Sequence, residues 1–409
     1  MRKFLNPQLI LGEVDIPQIE FNEKSENVTT QILLGLQYIY MNSEIREAIF
    51  EILKTILKCD RSNGRPGMDL WSIFVLGSIR LNLNISYKFL KELTDYHSQI
   101  RLMLGLDNFN KKEYSLQSIK DNIKLFTPEI LLKINAVVVK AGYNFKNKEG
   151  PIAGKCDSFV VETNVHFPTD TSLLYDATRK IIELISKMCE ENDIKGYRQS
   201  KYKIRKLKSI SRAIGRIKRS ISKNEEKREQ KERRIKNKYK EYIDLASKLI
   251  SEANEYKEIL KQDCKLIESD FILINEFVEH ADRQIDQIKR RVLKEEVIPH
   301  EEKCFSIFQP HTEWICKGKK GVPVELGMRV AIVEDNLGFI LHHVVMIKQT
   351  DDKVAVSIVE DVKNEFETFS TCSFDKGFYT KENREQLNNI LGNVILTLVG
   401  IYLGYLITR

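Results

Sequence analysis

Gly154-Lys155-Cys156-Asp157-Ser158-Phe159-Val160-Val161-Glu162-Thr163-Asn164-Val165-His166-Phe167-Pro168-Thr169-Asp170 decides how the rest of the chain is read. Phe159, Val160 and Val161 are strand formers next to an aspartate, so residues 152–161 are expected to form a β-strand. Pro168 stops that strand. A second short segment, Phe374-Asp375-Lys376-Gly377-Phe378-Tyr379, lies more than two hundred residues downstream and sets an aspartate at the end of a β-like run, 369–374. Two carboxylates delivered by separate strands are what a Mg²⁺-dependent phosphoryl-transfer site needs.

Upstream of the first segment the pattern is helical. Residues 32–39 and 45–56 carry apolar positions at helical spacing, Gly64-Arg65-Pro66-Gly67 punctuates them, and a further helix is expected over 68–83. Ile85-Ser86-Tyr87 opens another, and 113–142 holds two more, so residues 1–145 read as an all-α domain. From Thr171 to about Val297 helical periodicity is nearly unbroken, which fits a long antiparallel hairpin or bundle closed by Pro299. Strands are then expected over 328–334 and 339–347, joined by the turn Asp335-Asn336-Leu337-Gly338. A third β-rich run covers 354–359, a fourth is the run 369–374, and a helix follows over 382–391. The expectation is an α+β chain: an N-terminal all-α domain, then a mixed sheet interrupted by a long, coiled-coil-like helical insertion.

With 409 residues, 42% apolar and 30% charged, the chain belongs to the folded rather than the disordered class. Its net charge of +7 is unevenly spread: residues 201–240 hold 18 Lys and Arg against four Glu, leaving the remainder net acidic. Seven cysteines, at 59, 156, 189, 264, 304, 316 and 372, form no CxxC pair and have no histidine at zinc-ligand spacing. Zinc is therefore not expected, and free thiols in a reducing compartment are. The opening MRKFLNPQLILGEVDIP has too short an apolar run for a secretion signal.

Several stretches together resemble one known family. Residues 161–170, with Leu173-Leu174-Tyr175-Asp176-Ala177 and Arg179, look like the first-aspartate block of bacterial insertion-sequence transposases of the DDE type. Phe308-Gln309-Pro310-His311-Thr312-Glu313-Trp314-Ile315, with Lys317-Gly318-Lys319 and Val324-Glu325-Leu326-Gly327, resembles their second strand block. Gly64-Arg65-Pro66-Gly67-Met68-Asp69-Leu70-Trp71, with Arg80 and Tyr87, resembles their N-terminal helical domain.

The resemblance implies a ribonuclease-H-like core and divalent-metal-dependent cleavage and transfer of double-stranded DNA at insertion-sequence ends. It implies Mg²⁺ (or Mn²⁺) held by Asp157 and Asp375, and a bacterial cytoplasmic, nucleoid-associated protein. The implied domains are 1–145 for DNA binding, 150–170 with 300–396 for the catalytic core, and 171–298 as the basic insertion. The family also uses a glutamate on a helix well beyond the second aspartate. After Asp375 the only acids are Glu382 and Glu385, both too early, so the third ligand is expected to be missing and catalysis defective, as in a truncated or frameshifted gene.

Two other features bear on function. Lys201, Lys203, Arg205, Lys206, Lys208, Arg212, Arg216, Lys218 and Arg219 have no acid among them and read as contacts to DNA phosphates. The more acidic 223–240 reads as a solvated face with i,i+4 pairs. Apolar residues recurring over 243–293 suit either a homodimer seam or internal packing; without strict heptads, internal packing is favoured. The apolar stretch 390–407 is near the minimum for a membrane span and raises the alternative of a membrane-tethered helical protein. The out-of-frame reading treats 397–409 as an aberrant tail. A third function is a catalytically dead remnant that occupies element ends.

Overall fold

The computed structural model describes residues 14–56, 67–107, 110–147, 149–221, 224–264, 266–316, 323–391 and 393–396. In chain order the elements are α1 (Val28–Met41), α2 (Ser43–Lys54), α3 (Leu70–Leu83), α4 (Tyr87–Tyr96), α5 (Ser98–Met103), α6 (Leu116–Ile123), α7 (Pro128–Phe145) and β1 (Ile152–Glu162). There follow α8 (Asp170–Glu191), α9 (Ser200–Arg219), α10 (Glu225–Asp263) and α11 (Ile272–Ile288). The chain then forms β2 (Glu313–Cys316), β3 (Val324–Asp335), β4 (Ile340–Met346), α12 (Asp351–Glu365), β5 (Phe369–Phe374), α13 (Lys381–Leu391) and β6 (Asn393–Leu396). The fold is α+β, and its mixed sheet has the strand order β2-β3-β1-β5-β6, with β4 beside β3.

Contacts divide the described residues into two compact units, the first reaching to Asp157 and taking in Ala331–Val344 and residues from Thr350 onward. Its helices begin where side chains satisfy the free amides of a helix start. Asn27 accepts from Thr29, Asp69 from Ser72, Ser86 from Phe89, Ser115 from Ser118 and Thr127 from Ile130. Leu33, Ile49, Leu53, Trp71, Ile73, Val75, Leu90 and Ile119 close a core among α1–α7, and Arg80 lies over the Tyr87 ring at 4.2 Å. Helix α7 is tied to the β3–β4 hairpin by the Tyr143 hydroxyl, which donates to Asp335 Oδ2 at 2.8 Å. Asn135 Nδ2 also donates to the Ile340 carbonyl, at 2.8 Å. The other Asp335 oxygen accepts from the amides of Leu337 and Phe339, and Gly338 takes the left-handed φ of +85° that closes the turn.

In the same unit β1 runs parallel to β5, from Ile152 opposite Phe369 to Cys156 opposite Phe374, and β5 runs parallel to β6, from Thr371 opposite Asn393 to Phe374 opposite Leu396. The β-rich run expected at 354–359 is instead part of helix α12. Its buried residues are Val354, Ala355, Ile358, Val359 and Val362, which is the spacing of one helix face. A six-residue window of β-branched residues hid that longer period.

The second unit holds Ser158–Val330 with Val345–Gln349. Thr169 and Ser172 form a reciprocal capping box that starts α8 immediately after Pro168. Helices α8–α11 share one core, including Leu174, Ile181, Ile182, Leu207, Tyr242, Ala246, Ala253, Phe271 and Ala281. The apolar positions of 243–293 thus include residues packed within this unit. The far half of β1, β2 and the first half of β3 belong here too. Glu313–Cys316 pairs antiparallel with Val324–Gly327, and Thr163 N–H donates to the Leu326 carbonyl at 3.1 Å. Gly327 is needed at that crossing, because a Cβ there would strike the Val161 carbonyl oxygen.

Among the described residues no helix is long and apolar enough to cross a membrane. The apolar stretch 390–407 does not begin as a membrane helix: α13 ends at Leu391 and Asn393–Leu396 is a strand paired with β5. Its remainder, 397–407, lies outside the described residues, as do the proposed aberrant tail 397–409, Gly64-Arg65-Pro66 and Lys317-Gly318-Lys319.

Candidate metal site and basic helix face

Asp157 and Asp375 come together through strand register. Cys156 and Phe374 are the last registered partners of the parallel β1–β5 pair, and each aspartate is the next residue on its strand path. Parallel neighbours stand about 4.8 Å apart, and alternation turns both aspartates to the face opposite Cys156 and Phe374. Cys156 and Phe374 are buried, whereas Asp157 and Asp375 are exposed. Asp375 caps a short 3₁₀ turn, Lys376–Phe378, and its Oδ1 accepts from the Gly377 amide at 2.7 Å. That bond sets the carboxylate's direction.

Asp351, the first residue of α12, also approaches the Gly377 turn. A Cβ placed on Gly377 would stand 2.7 Å from Asp351 Oδ2 and 3.1 Å from Asp375 Oδ1, so the two carboxylates flank this glycine. Burial drives the Cys156 thiol pKa well above its usual value, and Cys372, Asp157, Asp351 and Asp375 add to the effect by their charge. Cys156 itself is buried on the face opposite Asp157. Asp351 and Asp352 also occupy the first turn of α12, where the helix dipole favours negative charge. Among the described residues no group of three or more His, Cys, Asp or Glu side chains is disposed to hold a metal ion. Glu382 and Glu385 lie exposed on α13. What Asp157 and Asp375 offer is a pair of hard oxygen donors. Such a pair fits Mg²⁺, which commonly takes one or two carboxylates and completes its shell with water and substrate phosphate.

The nine basic residues all lie on α9, which buries Leu207, Ile210 and Ile214 on its other side. Lys201, Arg205, Lys208, Arg212, Arg216 and Arg219 recur at spacings of three and four and so form one line along the helix. Five of these, Arg205 to Arg219, border a single shallow groove with Ser209. Lys206 is exposed beside them. Lys203 and Lys218 differ. Lys203 is paired with Glu252 and lies over the Tyr197 ring at 4.3 Å. Lys218 Nζ donates to the Tyr239 hydroxyl at 2.6 Å, and burial, followed by the nearby Arg291, lowers its pKa. A second groove continues the basic surface onto α10 through Lys227, Lys231, Arg234 and Lys238. Of the i,i+4 pairs expected within 223–240, Glu229 with Arg233 forms one at 3.5 Å.

His166, between β1 and α8, is committed to structure. Its Nε2 lies 2.6 Å from Asp176 Oδ2, and Asp176 also receives Arg179 at 3.3 Å. Burial works against the imidazolium, but the Asp176 hydrogen bond and the Phe167 carbonyl outweigh it and raise the His166 pKa. Glu313 Oε1 accepts the Lys348 amide at 2.7 Å.

No protein-family model, no curated protein and no solved structure matches this chain.

Proposed function

We propose that the chain is a DDE-type insertion-sequence transposase, acting by divalent-metal-dependent cleavage and transfer of double-stranded DNA. The observation that carries this reading is the register of β1 and β5, which makes Asp157 and Asp375 neighbours on one sheet face. A ribonuclease-H-like core suits a sheet in which β1 has a hairpin strand on one side and two parallel strands on the other. Mg²⁺ or Mn²⁺, when bound, would supply activation of the attacking oxygen and stabilisation of the leaving one.

In this reading Asp157 and Asp375 hold the cation, and the Gly377 amide fixes the angle of the Asp375 carboxylate. The α9 line of Lys201, Arg205, Lys208, Arg212, Arg216 and Arg219 grips the DNA backbone, giving affinity without sequence selection. Two carboxylates hold a divalent ion weakly, so turnover is slow, and DNA binding places the protein at the bacterial nucleoid. The test is a nicking assay on element-end DNA with Mg²⁺ or Mn²⁺. Weak, metal-dependent nicking abolished by Asp157→Asn and by Asp375→Asn is expected. Nicking that survives both substitutions overturns the proposal.

The basic line of α9, which needs no metal to hold DNA, also supports a second reading, a DNA-binding remnant that occupies element ends without chemistry. It is favoured if a salt-sensitive gel shift persists in Asp157→Ala while no nicking is found in the unmodified protein.

A further inference from the structure

The second unit has a pocket of about 330 Å³, partly open to solvent, that neither the aspartates nor the α9 line uses. Gln284, on α11, lines it and is fully buried, and neither end of its amide has a hydrogen-bond partner. Gln284 stands in the core-facing phase of α11, alongside Ile274, Phe277, Ala281 and Ile288, where an aliphatic side chain would pack without cost. A buried amide left unpaired is unfavourable, so its presence there calls for a partner.

The rest of the lining indicates which partner. One wall is aromatic: Trp314 meets Phe167 at 5.4 Å and Phe305 at 5.7 Å between ring centroids. The charged lining is mostly cationic, with Lys218, Arg291 and Lys303 against a single carboxylate, Asp170, which Arg291 already pairs. An amide offers a donor and an acceptor together, the pattern that reads the edge of a nucleobase. Aromatic side chains receive the face of a base, and lysines receive its phosphate. The volume is in the range of small-molecule sites.

From the juxtaposition of the unpaired Gln284 amide, the Trp314 wall and Lys218 with Lys303, we infer that this cavity binds a single unstacked nucleotide. Gln284 bonds the base edge, Trp314 and its neighbours contact the base, and the lysines hold the phosphate. The nucleotide comes either from a DNA strand or from the free pool. This assignment does not depend on strand cleavage.

The test is calorimetric titration of the full chain with each of the four deoxynucleoside 5′-monophosphates, with inorganic phosphate, and with a 5′-phosphorylated tetrathymidylate. Saturable binding of a mononucleotide or the oligonucleotide is expected, with at least a tenfold loss in Gln284→Leu and at least tenfold weaker binding of phosphate alone. Binding of both kinds of nucleotide shows that a free nucleotide suffices; binding of the oligonucleotide alone shows that the strand supplies it. Gln284→Leu removes an unpaired amide and should melt no lower than the parent. If it fails to fold, Trp314→Leu serves in its place with the same expected loss. The inference is overturned if no probe saturates the parent, or if phosphate binds as tightly as the nucleotides. It is equally overturned if affinity is unchanged in the folded variant, since the oligonucleotide is then held by α9 alone.

Discussion

Gly377 sits where two carboxylates leave no room for a side chain. In Gly377→Ala the new methyl meets Asp351 Oδ2 and Asp375 Oδ1, both ends of side chains that can swing aside. Stability should fall by less than about 1 kcal/mol. Metal-dependent nicking should drop roughly 10–100-fold, because a displacement of the order of an ångström in a reacting group is that costly. Thermal melts and nicking rates on the same preparation separate the two effects. Tyr143 gives the converse case, where structure alone is at stake. Tyr143→Phe removes one of three donors to the buried Asp335 and should lower the unfolding free energy by about 1–3 kcal/mol, read from denaturant unfolding curves. His166 supplies a pH dependence. Its pKa is raised on folding, so the stability it contributes is full below the ordinary value of 6.5 and is lost as pH climbs through the folded value. The gap in melting temperature between the parent and His166→Ala should therefore be wider at about pH 5.5 than at about pH 8.5. An equal gap at both would mean that His166 acts through packing.

At the scale of elements, α9 makes the clearest commitment. Replacing Arg212 and Arg216 by glutamate should weaken DNA binding of every sequence and shrink the slope of log affinity against log salt by about 0.9 for each phosphate contact removed. Lys203→Met should lower stability and leave that slope unchanged, since Lys203 is spent on Glu252. Gel shifts across a salt series distinguish these outcomes. The stripe itself was readable because basic and core-facing residues follow the period of one helix. That Lys203 and Lys218 leave it was not readable, because their partners Glu252 and Tyr239 come from α10, 49 and 21 residues away. The two aspartates could be picked out in sequence because strand formers stand close by, Phe159, Val160 and Val161 just after Asp157 and the run 369–374 just before Asp375. Asp351 could not: it stands just before the β-rich run 354–359, and only burial over fifteen residues shows that the run belongs to a helix. Strand β6 was hidden for a similar reason, since Val394, Ile395 and Leu396 run straight into an apolar tail. Gln284 carried a faint mark, an amide in the apolar phase of α11, that periodicity alone reads as an ordinary polar interruption.

The molecule as a whole is built around a detour. The chain leaves β1 and returns to the sheet only after α8–α11, so Thr163 and Leu326, hydrogen-bonded neighbours, are 163 residues apart. The detour has a core of its own, and its two ends meet where the Thr163 and Thr312 hydroxyls lie 2.9 Å apart. If that core forms first, the loop that β3 must close shrinks from 163 residues to about fourteen. Closure entropy then falls by about 2 kcal/mol, as (3/2)RT ln n gives. In that order of events the helices would act as a clasp that fastens before the sheet is threaded. Ile182→Ala, a truncation at a fully buried position of α8, should accordingly destabilise by roughly 2–5 kcal/mol and also slow refolding, with stopped-flow traces showing the loss in the refolding arm. A change confined to the unfolding arm would mean that the sheet assembles without waiting for its insertion. The long excursion, which looks like a burden on the sheet, would be what lets two distant strands find each other in time.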